Sequence, residues 1–222
     1  MSIAKESMDP VRDDSRKDRE QAPGSSADDT AGARPNRARR LLQILGEEVR
    51  GLHFRLRLAH MVLFFCPHYC FNRLRTAIYR LCGVHIGARS LVMGNIDLAG
   101  QGAVWKRLRI GENTHINAPL FADLNAEVTI GNNVSIGHHV VLITTNHDTQ
   151  YPFRRCGISR YAPIVIGDGC WVGACSTILP GVTLGVGCVI AAGSVVASDV
   201  PPNMTAWGVP ARPLSKLPTD GE

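Results

Sequence analysis

The sequence predicts an all-β domain, a parallel β-helix built from six-residue repeats, and two observations indicate it. Aliphatic residues recur at every sixth position in the second half of the chain: Ile166, Val172, Ile178, Leu184, Ile190 and Val196. A small side chain follows each of them four positions later: Cys170, Ser176, Val182, Cys188, Ser194 and Val200. A fixed short period is typical of a solenoid whose aliphatic residues fill a narrow interior.

The same register continues towards the N-terminus. It runs through Ile86, Val92, Leu98, Val104, Ile110, Ile116 and a weaker Ala122, then after an eight-residue step through Ile130, Ile136 and Leu142. The repeat alone therefore occupies roughly residues 85–205. Residues 146–163 have no aliphatic period and contain His, Pro, Gly and two adjacent arginines, which indicates a loop that leaves the coil. Loops on a rigid scaffold often carry its chemistry.

The flanking segments differ in composition from the coil. Residues 1–36 are rich in Ser, Asp, Arg, Gly and Pro and poor in aliphatics, so they predict a disordered tail. A short C-terminal tail is expected at 213–222. Residues 37–84 read as a helical segment that is both basic and apolar, since ten arginines and only two acids lie between Arg34 and Arg80.

Two interpretations of residues 37–84 stay open. The helices either cover the open end of the coil with their arginines in solvent, or form an interfacial segment attracted to anionic lipid. The apolar run 58–71 is broken by Pro67 and is shorter than the roughly 20 residues that span a bilayer. No aromatic-basic interleaving accompanies the charge, so nucleic acid is not an expected partner.

Cysteine usage bears on the compartment. There are seven cysteines, an odd number, and three of them serve as small residues of the repeat. The chain start lacks the basic and then apolar pattern of a signal peptide. We therefore expect reduced thiols in a cytoplasmic protein, with the inner face of the cytoplasmic membrane as a further site of residence.

Several motifs resemble the hexapeptide-repeat acyltransferases. The chain is most similar there to the galactoside and maltose O-acetyltransferase branch and to acetyltransferases of polysaccharide gene clusters. The motifs are INAPL (116–120), VTIGNNVSIG (128–137), NHDT (146–149), PIVIGDGCWVGACSTILPGVTLG (163–185), AAGSVV (191–196) and DVPPNMTAWGVPAR (199–212). The resemblance covers residues 85–212. It implies a left-handed parallel β-helix with three strands per coil, a homotrimer, and acetyl-CoA as the acyl donor between neighbouring coils, with no metal.

The resemblance also implies a catalytic set. His147 matches the family's catalytic histidine, and a neutral imidazole can take a hydroxyl proton at physiological pH. Asn117 matches an asparagine near the acceptor and the thioester, where an amide can donate or accept hydrogen bonds. The main-chain N–H of Ala174 matches the donor to the developing oxyanion.

A second set is implied for the acyl donor. Trp171 matches an aromatic residue beside the donor site, and Gly173, Ala192 and Ala197 lie along the pantetheine track. Arg212 matches an arginine near the nucleotide phosphates, which a guanidinium binds well. By residue type alone, Asn117 also fits an ordinary corner of the coil, Trp171 fits packing between subunits, and Arg212 fits a solvated surface. Asn125 and Ala103 stand where the maltose and galactoside enzymes have acidic and hydroxyl groups.

The sequence therefore predicts acetyl transfer from acetyl-CoA to a hydroxyl of a sugar or a surface-polysaccharide precursor. One alternative is acetylation of an antibiotic alcohol. Another is a metal-dependent hydratase on the same coil, which would need three histidines converging on zinc, with His115, His139 and His147 available. A non-catalytic coil is the remaining alternative.

Overall fold

A computed structural model describes Leu41 and residues 53–219. The expected disordered tail, residues 1–36, lies outside the described residues, and so do residues 37–40 and 42–52 of the expected helical segment. The described chain forms two α-helices, a three-sided coil of short parallel strands, and a hairpin that leaves the coil. The parallel β-helix expected from the repeat is confirmed.

The strands follow one another around the coil, three to a turn. The first three turns contain β1 (His85–Ile86), β2 (Leu91–Val92), β3 (Ile96–Ala99), β4 (Leu108–Ile110), β5 (His115–Ile116), β6 (Leu120–Asp123), β7 (Val128–Ile130), β8 (Ser135–Ile136) and β9 (Val140–Leu142). The hairpin contains β10 (Thr145–His147) and β11 (Ser159–Tyr161). The remaining turns contain β12 (Ile164–Ile166), β13 (Trp171–Val172), β14 (Thr177–Ile178), β15 (Thr183–Leu184), β16 (Val189–Ile190), β17 (Val195–Val196), β18 (Met204–Gly208) and β19 (Ala211–Lys216).

Strands one turn apart pair to form three parallel sheets. Sheet 1 contains β1, β4, β7, β12 and β15, and sheet 3 contains β3, β6, β9, β14 and β17. Sheet 2 contains β2, β5, β8, β13, β16 and β18, with β19 added antiparallel. The chain passes from sheet 2 to sheet 3 at the first edge, from sheet 3 to sheet 1 at the second edge, and from sheet 1 to sheet 2 at the third edge.

The aliphatic repeat fills the interior of the coil. Along sheet 1, in-register pairing stacks Ile86, Ile110, Ile130, Ile166 and Leu184 in one row. All six aliphatic residues and all six small residues of the C-terminal repeat are buried. Full burial of one such aliphatic side chain stabilises a fold by about 1.5–3 kcal/mol, so the row explains why the period is so regular.

Two positions of the expected register depart from it. Val104 is buried, but it lies in a short 3₁₀ helix, Val104–Lys106, and not in a strand. The chain takes 24 residues from Ile86 to Ile110, against 18 from Ile166 to Leu184. The six additional residues form the connection that contains this 3₁₀ helix. Leu98 is only half-buried at the margin of the core, whereas Ile96, two residues earlier on the same face of β3, is fully buried.

Two helices cover the open end of the coil. Helix α1 (Phe54–Leu63) buries Leu56, Ala59 and Leu63, which share one helical face, and helix α2 (Asn72–Leu81) packs on β1 and β2. The Thr76 hydroxyl accepts a hydrogen bond from the N–H of Val92 at 3.0 Å, and the Tyr79 hydroxyl accepts one from the N–H of Ile96 at 3.0 Å. The helices thus satisfy edge-strand donors that would otherwise be free to pair with another chain.

One of the arginines expected in solvent is buried. Arg75 is 0 % exposed, and its guanidinium donates to the carbonyls of Cys66, Pro67 and Cys70 at 2.9–3.0 Å. These carbonyls belong to the turn between the two helices, and a buried charge is tolerated where it is hydrogen-bonded. The expectation that all the arginines of this segment face water is wrong at Arg75. None of the described helices is long and apolar enough to cross a bilayer.

The C-terminal boundary also differs from the expected one. Strand β19 continues to Lys216 and pairs antiparallel with β18. The boundary expected after residue 212 therefore lies inside a strand, because the last turn of the coil is closed by a hairpin and not by a simple chain end.

Candidate functional site

His147 lies on the hairpin of residues 145–161, which we name the arm. In β10 it pairs with Ser159 of β11, and it is half-buried. Its Nδ1 lies 3.4 Å from the carbonyl oxygen of Gly157. With the ring proton on Nδ1, this contact leaves the Nε2 lone pair free to accept a proton, as a general base requires.

An ion pair next to His147 braces the arm. The Arg160 guanidinium donates to the Asp148 carboxylate at 2.9 Å. The hydrogen bond from Arg160 lowers the pKa of Asp148, so this carboxylate stays ionised at neutral pH. The main chain adds hydrogen bonds at 2.9 Å from Asp148 N to Ile158 O and from Gly157 N to Asp148 O. The chain that follows His147 is therefore held by both main-chain and side-chain hydrogen bonds.

The base of the arm is fixed by a buried carboxylate that sequence reasoning missed. Asp123 is 8 % exposed, and its Oδ1 accepts a hydrogen bond from Asn125 Nδ2 at 2.8 Å. The same amide nitrogen donates to Thr145 Oγ1 at 3.0 Å, and Asp123 Oδ2 accepts from Thr144 N at 3.3 Å. Asp123 follows the weakest hexad of the repeat, at Ala122, so no periodic signal singled it out.

Four of the expected site residues lie on the first edge: Asn117, Gly173, Ala174 and Ala192. The main-chain N–H and the Nδ2 of Asn117 both donate to the carbonyl of Ile136, at 2.9 and 3.1 Å. This leaves the amide oxygen and one N–H of Asn117 for a ligand.

The first edge presents main-chain donors, among them the N–H groups of Ala174 and Ala192. A Cβ added to Gly137 would meet Ala174 N at 2.5 Å, and one added to Gly173 would meet Ala192 N at 2.5 Å. Successive turns therefore approach too closely for any side chain at these glycines. Within the described part of the chain, the N–H groups of Ala174 and Ala192 donate to no acceptor, whereas Gly173 N donates to Ile190 O at 2.7 Å. Free N–H groups suit an oxyanion and the amide carbonyls of a pantetheine arm.

Trp171 stands on the outer face of sheet 2, two residues before Gly173. It lies between Ser135 and Val189 in the outward row, and it is 57 % exposed. So large an exposed aromatic fits stacking on a ligand or packing against another subunit. Both interpretations from the sequence stay open.

The remaining expected residues lie elsewhere on the molecule. Ala197 follows β17 at the second edge, the edge from which the arm also leaves. Arg212 is exposed in β19, in register with the exposed Trp207. Sheet 3 therefore separates His147 and Ala197 from Asn117 and the two free N–H groups. One chain alone does not bring the expected site residues together.

The three histidines of the hydratase alternative do not converge. His115 lies on the outer face of sheet 2, His139 on the first edge, and His147 on the arm. The described residues contain no group of three or more His, Cys, Asp or Glu placed to hold a metal ion. Their arrangement gives the hydratase alternative no support.

A groove crosses the outer face of sheet 3 between the two edges. One hollow of about 360 Å³ is lined by His53, Arg57, His60, Asp97 and Phe121, among others. A second of about 270 Å³ shares Asp97 and Phe121 and reaches Pro119 and His139. We name these joined hollows the sheet 3 groove. It offers a carboxylate, a guanidinium and an aromatic ring, and it reaches the first edge at Pro119.

The molecule is similar to known acetyltransferases in sequence and in fold. Residues 163–198 match the family described as bacterial transferase hexapeptide (six repeats). The galactoside O-acetyltransferase of Escherichia coli is 41 % identical over 113 residues, which cover 48 % of this chain and 56 % of the relative. The chain thus spans about half the length of the curated relatives that it matches.

Solved structures extend the likeness over most of the fold. A hexapeptide-repeat-containing acetyltransferase from Vibrio cholerae, complexed with acetyl coenzyme A, is 32 % identical with a TM-score of 0.65, covering 78 % of this chain and 89 % of that one. A galactoside acetyltransferase in complex with coenzyme A is 32 % identical with a TM-score of 0.63, covering 74 % of this chain and 80 % of that one. Because identity above 30 % extends over most of these solved chains and the hexapeptide match lies within the same coil, the protein belongs to the hexapeptide-repeat acyltransferases.

Proposed function

We propose that the protein transfers an acetyl group from acetyl-CoA to a hydroxyl of a sugar, either free or in a surface-polysaccharide precursor. Two observations carry this proposal: the His147 imidazole, whose Nδ1 lies 3.4 Å from the Gly157 carbonyl oxygen, and the N–H of Ala174, which donates to no acceptor among the described residues. Acyl transfer from a thioester needs both a base and an oxyanion donor.

The proposed reaction is a direct transfer. The acceptor oxygen attacks the thioester carbonyl carbon while His147 Nε2 takes the hydroxyl proton. The Ala174 N–H stabilises the oxyanion, the C–S bond breaks, and the proton passes from His147 to the departing sulfur to give free CoA. Cys156 is an exposed thiol on the arm, but this route needs no covalent acyl-enzyme.

The first edge supports the placement of the acyl donor. The free N–H groups of Ala174 and Ala192 lie on successive turns of one edge, beside the exposed Trp171. Arg212 is exposed near the C-terminal end of the same sheet as Trp171, where a guanidinium can pair with nucleotide phosphates. Ala197 on the second edge would complete the track from another subunit.

The separation of the two edges supports a homotrimer. His147 and Asn117 can share one acceptor only if the second edge of one copy lies against the first edge of another, which three-fold symmetry achieves at three equivalent places. Light scattering at micromolar concentration tests this assembly. A monomer at that concentration would contradict it.

The sheet 3 groove supports a sugar as the acceptor. The Asp97 carboxylate can accept hydrogen bonds from sugar hydroxyls, and Phe121 offers an apolar face beside it. Convergent polar groups in an apolar hollow are the usual form of a small-molecule site.

All seven cysteines are free thiols, which supports residence in the cytoplasm.

A free-thiol assay tests the proposal directly. The protein is incubated with acetyl-CoA and a panel of acceptors that includes neutral sugars, acidic sugars, oligosaccharides and hydroxylated antibiotics. We expect CoA release that depends on a sugar and is lost in His147→Ala. Release that depends only on an antibiotic alcohol would favour the xenobiotic alternative, and no release with any acceptor would contradict acetyl transfer.

A further inference from the structure

A second hollow lies on the third edge, away from both edges of the candidate site. It measures about 380 Å³ and is lined by Arg73, Thr76, Arg80, Arg89, Ser90 and Leu91. The hydroxyls of Thr76 and Ser90 already donate to main-chain carbonyls at 2.8 and 2.6 Å. Three guanidinium groups are therefore the ligand-binding groups of this hollow, which we name the arginine pocket.

The arginine pocket keeps most of its positive charge. Arg80 is anchored by hydrogen bonds to the carbonyls of Ile86 and Gly87, which leave its charge uncompensated. Arg89 pairs with Glu112 at 3.3 Å, but both side chains are largely exposed, so water and salt weaken this pair. Among the described residues Arg73 donates from its side chain to no acceptor. Guanidinium groups in this number suit a phosphoryl group, which they bind in a fork geometry.

An apolar surface borders the arginine pocket on the same helix. Leu74 and Leu81 each follow an arginine of the pocket by one residue, which places them about 100° around α2, and both are exposed. A groove between α1 and α2 continues this surface through Leu58 and Val62 and measures about 180 Å³. Exposed apolar patches of this kind mark interaction sites.

Two exposed aromatic residues directly follow α1 in the chain. Phe64 and Phe65 are 78 % and 81 % exposed, although exposing a large apolar side chain to water is energetically unfavourable. Basic residues beside exposed aromatic and aliphatic residues are the composition of a surface that lies in the headgroup region of an anionic bilayer. Because no described helix is long and apolar enough to cross a bilayer, the contact would be peripheral.

We infer that the helical cap is a docking surface for an anionic phospholipid bilayer. The arginine pocket holds a lipid phosphoryl headgroup, and Leu81, Phe64 and Phe65 enter the boundary of the acyl chains. The inference does not rest on acetyl transfer, because it concerns the helices and the third edge alone. Its consequence for function is that the coil is held beside the membrane.

Co-sedimentation of the full-length protein with vesicles tests the inference. Phosphatidylcholine vesicles with and without phosphatidylglycerol are compared at low and high salt. We expect preferential binding to the anionic vesicles that weakens as salt rises. Arg73→Gln and Arg89→Gln should each weaken this binding about fivefold, and Phe65→Ser should weaken it as well.

Matched variants outside the surface are the controls. Arg109→Gln removes an equal charge from sheet 1, and Phe153→Ser removes an exposed phenylalanine from the arm. Equal binding to both kinds of vesicle, or equal effects of Arg109→Gln and Arg73→Gln, would overturn the inference.

Two other occupants would also overturn it. Saturable binding of inorganic phosphate or glycerol phosphate by calorimetry, without vesicle binding, would assign the arginine pocket to a soluble ligand. Self-association that Leu81→Ser abolishes, again without vesicle binding, would assign the apolar groove to a second copy of the chain.

Discussion

Asp123 and Thr144 hold each other by two hydrogen bonds across successive turns of the coil. The Asp123 carboxylate accepts from the main-chain N–H of Thr144 at 3.3 Å, and the Thr144 hydroxyl donates to the main-chain carbonyl of Asp123 at 2.9 Å. Thr144 directly precedes the arm, so this pair determines how the arm leaves the coil. His147 lies three residues further on, and its position depends on that departure.

Replacing Asp123 should therefore impair turnover more than binding of the acyl donor. Asp123→Asn replaces one of the two acceptor oxygens by an NH₂ donor, so either Thr144 N–H or the Asn125 amide loses its acceptor and the arm should shift. A displacement of about 1 Å at a catalytic group can lower a rate about 10²-fold, so we expect a loss of about 10- to 100-fold in kcat with little change in the KM for acetyl-CoA.

The control for this variant is Asp168→Asn. Asp168 also accepts a main-chain hydrogen bond, from Asn132 N at 2.8 Å, but it lies on the third edge away from the arm. Equal kcat values for the two variants would show that Asp123 has no special role in positioning His147.

Removing the imidazole of His147 should abolish acetyl transfer without unfolding the coil. Loss of a general base typically costs about 10²–10⁴ in rate. The side chain is half-buried on the arm, outside the interior of the coil, so assembly and CoA binding should persist in His147→Ala. The assay is CoA release, with the exposed His85 replaced by alanine as the control. Wild-type turnover in His147→Ala would remove this residue from the mechanism.

Tyr79 makes stability sensitive to alkaline pH. Burial raises the pKa of Tyr79 from 10.0 to about 12, so the unfolded chain ionises first as pH rises. The contribution of the neutral Tyr79 to the free energy of unfolding is fully present below pH 10. Between pH 10 and 12 the free energy of unfolding should fall by roughly 2–3 kcal/mol in all.

The Tyr79→Phe variant separates the effect of tyrosine ionisation from the effect of the hydrogen bond between the Tyr79 hydroxyl and the N–H of Ile96. At pH 8 it should be less stable by about 1–3 kcal/mol, because the buried N–H of Ile96 loses its acceptor. The difference from the wild type should narrow between pH 10 and 12, since phenylalanine does not ionise. Denaturant unfolding at several pH values measures both effects, and a constant difference would contradict the account of Tyr79.

The cysteines should differ sharply in reactivity. Burial raises the pKa of the Cys170 thiol to about 11, so almost none of it is thiolate at pH 8, whereas Cys70, Cys156 and Cys175 are exposed. Because the thiolate is the reactive form, alkylation at pH 8 followed by peptide mass spectrometry should label the exposed three first. Early labelling of Cys170 in the native protein would contradict its placement inside the coil.

The interior of the coil was predictable because its physical cause is local. A residue such as Ile166 or Val172 faces inward once per strand, so burial requires an aliphatic residue at every sixth position of the sequence. Val104 shows the limit of that signal, since it satisfies the period and is buried without forming a strand. The left-handed winding came from the family resemblance, because the spacing alone is compatible with either hand.

The site was less predictable because it depends on how distant segments fold. His147 was identified by its motif, but the hairpin that carries it has no aliphatic period. Asp123 gave no signal, since its partner Thr144 lies 21 residues away. Asn117 and His147 lie on different edges because Asn117 follows a strand of sheet 2 and the arm follows a strand of sheet 3, a difference that the six-residue period does not encode.

In the proposed trimer, each active site combines His147 of one chain with Asn117 of its neighbour. Co-expression of differently tagged His147→Ala and Asn117→Ala chains, followed by selection of trimers that carry both tags, tests it by CoA release with a sugar acceptor. Each mixed trimer should contain one site with both residues intact, so we predict about one third of wild-type turnover where each parent variant is nearly inactive. Mixed trimers as inactive as their parents would contradict a site shared between subunits.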